Sequence, residues 1–283
     1  MSNLLRYPGG KTRAVKHIKD YIPQGIDKLC SPFFGGGSLE LFIMRDRDIP
    51  IDAHDIFKPL YWFWKALLEE KNELVYTADS FRLYHDEFIH KTKSASVPVR
   101  GLWKEVFKGL QKELRDTKEY SVRNAAIFYA LNRSSFSGET LSGGYSKKAA
   151  YARFTDSSID RLKEFNEPNL TVGEKCFTES IPESSDAFLY CDPPYMLEKG
   201  KDKLYGDKGS THKGFDHEAL YEVLDSHPGW TLSYNNCDRI KKMYSKHKIV
   251  ELDWAYGMKN ITKSKDNTKV KMGKSSEILI IKE

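Results

Sequence analysis

Seven short apolar runs, at 28–32, 49–55, 170–173, 187–191, 230–234, 249–254 and 277–281, constrain the fold of this chain more than any other feature. Each has the length of a buried strand and lies near a turn signal or a helix start. Helical patterns at 13–21, 38–45, 60–70 and 217–224 alternate with several of them. Parallel strands need a crossover to return the chain, and a helix is the usual crossover. The alternation therefore predicts an α/β protein whose mostly parallel sheet is covered on both faces. The last two runs have only a lysine-rich loop between them, so they are expected to pair antiparallel at the end of the sheet.

Between 74 and 154 the alternation stops. Helical patterns at 102–114 and 122–130 lead into a Ser/Gly-rich segment at 134–145. These predict a mainly helical insertion, 74–154, in a sheet domain formed by 1–73 and 155–283. The length, 283 residues, exceeds that of most single domains and suits a core with an insertion. No run of about 18 apolar residues occurs, so no membrane helix is expected. The four cysteines, Cys30, Cys176, Cys191 and Cys237, follow neither zinc nor paired-thiol spacing. They predict reduced residues of a cytoplasmic protein, with no bound metal.

The formal net charge is +5 and one segment carries it. Between 257 and 275, Lys259, Lys263, Lys265, Lys269, Lys271 and Lys274 face a single acid, Asp266, an excess of five that equals the whole net charge. Such a loop suits a nucleic-acid phosphate backbone; taken alone, it is also the composition of a solvated surface loop.

Three segments carry chemistry. Tyr7-Pro8-Gly9-Gly10-Lys11-Thr12 ends like a phosphate-binding loop, but that motif needs a glycine six positions before the lysine, where Leu5 stands. What remains is a glycine turn presenting Lys11 at a helix start, either to an anionic group such as a carboxylate or as a plain turn. Ser31-Pro32-Phe33-Phe34-Gly35-Gly36-Gly37-Ser38 follows a strand and opens a helix, where glycines let backbone approach a ligand. Asp55 stands 18 residues past Gly37 at the end of the next strand, where an acid suits ribose hydroxyls. Together they suggest an adenosine-containing cofactor, against the alternative of a structural turn and a capping aspartate.

The strongest signal is Asp192-Pro193-Pro194-Tyr195, after the run 187–191. It lies on the sheet edge where open α/β proteins bind ligands, and its prolines remove two donors while leaving carbonyls to accept. A carboxylate and a carbonyl converging on an exocyclic amine would localise the lone pair that the ring otherwise withdraws, and Tyr195 offers a face for a base. A proline turn after a strand is the plainer alternative.

With these residues in view, the chain resembles the Dam-like (D12 class, alpha-group) DNA adenine-N6 methyltransferases over nearly its whole length. Tyr7 to Lys11 is similar to the family's G-G-K motif, Pro32 to Gly37 to its P-F-x-G-x-G cofactor loop, Asp55 to its ribose ligand, and Asp192 to Tyr195 to its D-P-P-Y motif. Asn132-Arg133 matches an N-R pair in the family's DNA-contacting region. Tyr205-Gly206, Lys213-Gly214-Phe215-Asp216-His217 and Ser233-Tyr234-Asn235 resemble later segments. Three positions differ: Ser31 stands where glutamate is usual, Phe57 where asparagine is common, and Cys176-Phe177 where an acid often meets the adenine of the cofactor.

The resemblance implies a Rossmann-like fold whose seven-stranded sheet has an antiparallel last strand, and methyl transfer from S-adenosylmethionine to N6 of an adenine flipped out of double-stranded DNA. It implies Asp192, Pro193, Pro194 and Tyr195 as catalytic. Tyr7, Gly9, Gly10, Lys11, Pro32, Phe33, Phe34, Gly35, Gly37, Asp55, Ile56, Cys176, Phe177 and Asp192 are the cofactor candidates. The DNA candidates are Asn132, Arg133 and Ser137 of the insertion, Lys199 of a polar 196–213 segment read as a flap or a surface loop, and Lys259, Asn260, Lys263, Lys265, Lys269 and Lys271. A monomer without a membrane partner is expected. The alternatives are N4-cytosine methylation, which Asp rather than Ser at 192 disfavours by family analogy, a DNA-binding regulator without catalysis, and a protein or RNA methyltransferase.

Overall fold

The computed structural model describes residues 4–94, 102–196, 214–252 and 277–282. Seven strands form one sheet: β1 Leu29–Ser31, β2 Ile51–His54, β3 Leu170–Gly173, β4 Phe188–Cys191, β5 Trp230–Asn235, β6 Lys248–Glu251 and β7 Glu277–Lys282. Their order is β3-β2-β1-β4-β5-β7-β6. Six run in one direction, and β7 alone among them lies antiparallel, between β5 and β6. Six of the strands fall within one or two residues of their apolar runs, β6 ends three residues before the end of its run, and the expected antiparallel pair forms at the sheet end.

Both sheet faces are buried, which explains why the runs are continuously apolar rather than alternating. Successive side chains still go to opposite faces. Tyr190 and Leu279 join the core on one side, while Leu189, Cys191, Ile278 and Ile280 join the core on the other. The first core is roofed by α2 Glu40–Arg47 and α3 Lys58–Glu69, the second by α9 Phe177–Glu183, α10 His217–Ser226 and α11 Asp238–Met243. The 13–21 pattern is only one turn of helix, α1 Val15–Ile18, continued as a 3-10 turn through Tyr21.

The described residues between 74 and 154 are mainly helical. α4 Lys71–Ser94 and α5 Leu102–Asp116 flank α6 Val122–Ser134, and α7 Lys147–Arg153 and α8 Asp156–Lys163 lead back to β3. Ser121 caps α6 by accepting from the Asn124 N–H at 3.1 Å. Almost every residue of α6 is buried. Its Phe128 and Tyr129 meet Phe63 of α3 at ring-centroid distances of 6.0 and 5.5 Å, so the helical region and the sheet share one continuous core. Among the described residues no helix is long and apolar enough to cross a membrane.

Candidate active site

The strand order sets the position of the site. From β1 the chain winds outward through β2 to β3, then returns to β4 on the other side of β1 and continues to β5. The β1/β4 boundary is thus the point where the winding reverses, and loops leaving the two strands in opposite directions open a crevice there. The loop after β1 is 32–39, and the loop after β4 begins at Asp192.

A cleft of about 280 Å³ lies at this edge. It is lined by Tyr7, Pro32, Phe33, Gly35, Asp55, Ile56, Phe57, Lys175, Cys176, Phe177, Asp192, Pro194, Gly214 and Phe215. The ends of β1, β2, β3 and β4 therefore all contribute. Phe33, Phe177 and Phe215 form an aromatic cluster in its wall, with centroids 5.3 to 5.8 Å apart. Ile56 is 57% exposed. Phe34 turns away and buries its ring against Trp64, 4.9 Å between centroids.

Asp55 is the acid at the β2 side of this cleft. Its Oδ2 accepts the Gly35 N–H at 3.0 Å and its Oδ1 the Phe57 N–H at 2.9 Å. Burial pushes its carboxyl up to about 6, while the Phe57 and Gly35 N–H groups hold it back. Those two bonds leave lone pairs for a further donor. The glycines have a use that spacing alone did not reveal. A Cβ on Gly35 or Gly36 would come within 2.9 Å of the Tyr7 side chain, and Gly35 has φ +53°. The loop after β1 is therefore glycine-rich partly to receive Tyr7, which ties the N-terminal turn to the cleft.

Beside the cleft, charge replaces shape. Lys11, 4% exposed, places Nζ 2.9 Å from Asp192 Oδ1. The same ammonium donates to the Tyr195 hydroxyl at 2.9 Å and to the Gly9 carbonyl at 3.2 Å, and stands 3.6 Å from Glu277 Oε1. Tyr195 in turn donates to Glu277 Oε1 at 2.8 Å. Burial raises the Asp192 carboxyl above the usual aspartate range; Lys11 opposes that shift and Glu277 adds to it. Glu40, in the first turn of α2, accepts from Ser31 Oγ at 2.8 Å. Burial pushes Glu40 up to about 7, against its own backbone N–H and the Ser31 hydroxyl. Thus where Ser31 replaces an expected glutamate, a carboxylate returns from the adjoining helix.

The later segments brace this cluster. Tyr195 lies 5.8 Å from Tyr234, nearly parallel at 25°, and Tyr234 is hydrogen-bonded to His217. Asp216 caps α10 by accepting from the Ala219 N–H at 2.9 Å. Ser233 Oγ meets the Tyr190 hydroxyl at 2.9 Å, and Asn235 Nδ2 donates to the Met196 carbonyl at 2.8 Å. Pro193 is buried.

The insertion corrects one expectation. Asn132 and Arg133 are 0% and 4% exposed and do not face outward for a duplex. Asn132 Oδ1 accepts the Arg6 N–H at 2.9 Å, and its amide donates to the Arg6 and Gly138 carbonyls at 2.7 and 3.1 Å. Arg133 donates to the carbonyls of Arg153 and Leu4, at 2.8 and 3.2 Å. Their polar atoms staple the N-terminal segment and the following turn to α6. That turn holds Ser137 at φ 52°, and a Cβ on Gly138 would lie 2.0 Å from the Arg6 carbonyl oxygen. Phe136, 60% exposed, is carried on the same turn. Lys199, Lys259, Asn260, Lys263, Lys265, Lys269, Lys271 and Tyr205 to Lys213 lie outside the described residues.

Sequence reasoning passed over Glu40, Phe136 and Glu277. The first and last read as ordinary ends of a helix and a strand. Only the fold brings Glu277 to Lys11.

The D12 class N6 adenine-specific DNA methyltransferase family model matches residues 7–258. A DNA adenine methylase of Vibrio cholerae serotype O1 is 26% identical over 229 residues, covering 78% of this chain and 75% of the relative. The type II methyltransferase M.CviBI of Paramecium bursaria Chlorella virus NC1A is 23% identical, over 74% and 72% of the two chains. The type II methyltransferase M1.LlaDCHI of Lactococcus lactis subsp. cremoris is 22% identical, over 86% of each.

Proposed function

The chain belongs to the D12 class N6 adenine-specific DNA methyltransferases, and from that premise we propose how its residues divide the work on a duplex. The observation that carries the reading is the Lys11–Asp192–Tyr195 cluster at the end of β4, next to an apolar cleft with one acid at the end of β2.

S-adenosylmethionine, the methyl donor implied by the family, supplies a methyl group already activated on a sulfonium. The cleft suits it. An aromatic wall fits an adenine face and Asp55 has acceptor capacity for ribose hydroxyls, while the Gly9-Gly10-Lys11 turn lines the smaller hollow beside it with its ammonium turned to the Asp192 cluster. Tyr7, Pro32, Phe33, Gly35, Ile56, Cys176 and Phe177 would enclose it.

The target adenine of double-stranded DNA must leave the stack to reach β4, at a cost of a few kcal/mol. Tyr195, backed by Tyr234, gives the base a firm face. Asp192 and the Pro193 carbonyl accept the N6 hydrogens, localising the lone pair that forms the new C–N bond. A carboxylate with a raised pKa is also a better temporary acceptor for the proton that N6 then sheds. Ser137 and Phe136, on the turn stapled to Arg6, together with the lysines of 257–275, face the remaining task of holding DNA, the lysines through phosphates without sequence preference.

The test is nucleoside mass spectrometry of unmethylated duplex DNA after incubation with the protein and S-adenosylmethionine. N6-methyladenine is the expected product. N4-methylcytosine would overturn the base, and methylation confined to single strands would overturn the duplex.

A further inference from the structure

Glu277 is the first residue of β7 and only 4% exposed, a costly place for a carboxylate unless it has charged or hydrogen-bonding partners. Both of the partners named above belong to the reaction end of the site. Its Oε1 accepts the Tyr195 hydroxyl at 2.8 Å and lies 3.6 Å from Lys11 Nζ. The backbone beneath it is fixed, because its carbonyl accepts the Leu252 N–H at 3.1 Å and its register partner is Asn235 of β5. Asn235 grips the Met196 carbonyl, so one rung of the β5–β7 ladder holds the chain both at Tyr195 and just after it.

We propose that Glu277 is a positioning residue for methyl transfer: it clamps the Tyr195 phenol and shares Lys11 with Asp192, so that Asp192 keeps an oxygen for the adenine amine. The inference rests on Asp192 being the amine acceptor. Lys11 already engages Asp192 Oδ1 at 2.9 Å. With no second anion, the ammonium would centre on Asp192 and compete with N6 for its lone pairs. Glu277 draws part of that charge away and fixes the direction from which Lys11 approaches.

The electrostatic consequence is measurable. Among the described residues, Asp192 is faced by Lys11 from the N-terminal turn, Glu277 from β7, Tyr195 from its own loop, Glu40 from α2 and Tyr190 from β4. Glu277 is the carboxylate that, with burial, pushes the Asp192 carboxyl up. Neutralising it favours the ionised form of Asp192.

The experiment is a single-turnover methyl-transfer rate between about pH 5 and pH 9 on the full chain, with thermal unfolding measured in parallel. Glu277→Gln keeps the shape and an acceptor for Tyr195 but removes the charge. It should move the acid limb to lower pH and cut the plateau rate roughly tenfold, with cofactor KM changed less than about twofold. Glu277→Asp restores the charge and should move the limb back, which a merely structural role would not require. If Gln destabilises the fold, its limb is read below its unfolding temperature, against Glu277→Asp and wild type at that same temperature. An unmoved limb with an unchanged plateau overturns the proposal. Asp192→Ala separates the two readings. Inactive Asp192→Ala with an unmoved Glu277→Gln limb rejects Glu277 alone, whereas active Asp192→Ala rejects the role of Asp192 beneath it.

Discussion

The two halves of the crevice are built by different forces. The cleft half, from the ends of β1, β2 and β3, is mainly aromatic and aliphatic, and its one acid is held by backbone N–H groups. The β4 half packs the carboxyls of Asp192, Glu277 and Glu40 around a single buried ammonium, that of Lys11. Shape forgives small changes, since an apolar wall loses only the area removed. A buried cluster of like charges does not, because each group sets the ionisation of the others. Changes in the β4 half should therefore reach stability, pH dependence and rate together, and changes in the cleft half should register chiefly as cofactor affinity.

The largest expected effect comes from removing the shared cation. Lys11→Ala leaves buried carboxylates without their counter-charge and should cost about 3 to 5 kcal/mol of stability, read by denaturant unfolding, together with activity. A loss below about 1 kcal/mol would show that the cluster is solvated and that the contrast between the halves is false.

Next is the staple that sets where Lys11 sits. Asn132→Ala strands the Arg6 N–H and the Arg6 and Gly138 carbonyls, so unfolding should come earlier by about 2 kcal/mol. Asn132→Asp keeps the acceptor but sets a buried carboxylate against those two carbonyls, so it should unfold at least as early as alanine. If both unfold like wild type, the turn is held some other way.

Glu40 sharpens the electrostatic side. Its folded pKa, about 7, lies above the ordinary glutamate value, so the folded chain binds the proton more tightly. Glu40 thus lowers stability as pH rises from roughly 4.5 to 7, and the penalty is full above that window. Glu40→Gln should raise Tm at pH 8 by a few degrees, and the gain should vanish near pH 4. A gain that persists at pH 4 would mean that packing, not charge, is responsible.

The smallest effect is expected on the cleft side. Phe177→Ala removes one aromatic wall and should weaken cofactor binding by about 0.5 to 1.5 kcal/mol, measured by calorimetry, with little change in the saturated rate. A rate loss exceeding the affinity loss would erase the distinction between the halves.

Much of this arrangement is legible in the sequence because strand cores and punctuating glycines and prolines are local signals. The runs at 170–173 and 187–191 sit almost on β3 and β4, and the loops that follow carry their chemistry with them. Two kinds of feature escape. Short helices such as α9, seven residues with Pro182 inside, and α11 offer too few turns for a period. Roles that depend on distant approach escape too. The Asn132-Arg133 pair looks like a polar surface, yet the unbroken stretch from Ala125 to Leu131 marks α6 as buried all round. On such a helix polar side chains must find partners inside. Glu277 meets Lys11 only because β7 inserts between β5 and β6, which no local pattern encodes.

The central claim is that Asp192 acts on the amine and the cleft holds the cofactor. Its most direct test is the single-turnover transfer rate of Asp192→Ala beside the equilibrium affinity for S-adenosylmethionine. The rate should fall at least about a hundredfold, with affinity within a few-fold of wild type. A near-normal rate, or a loss of affinity large enough to explain the whole loss of rate, would contradict it.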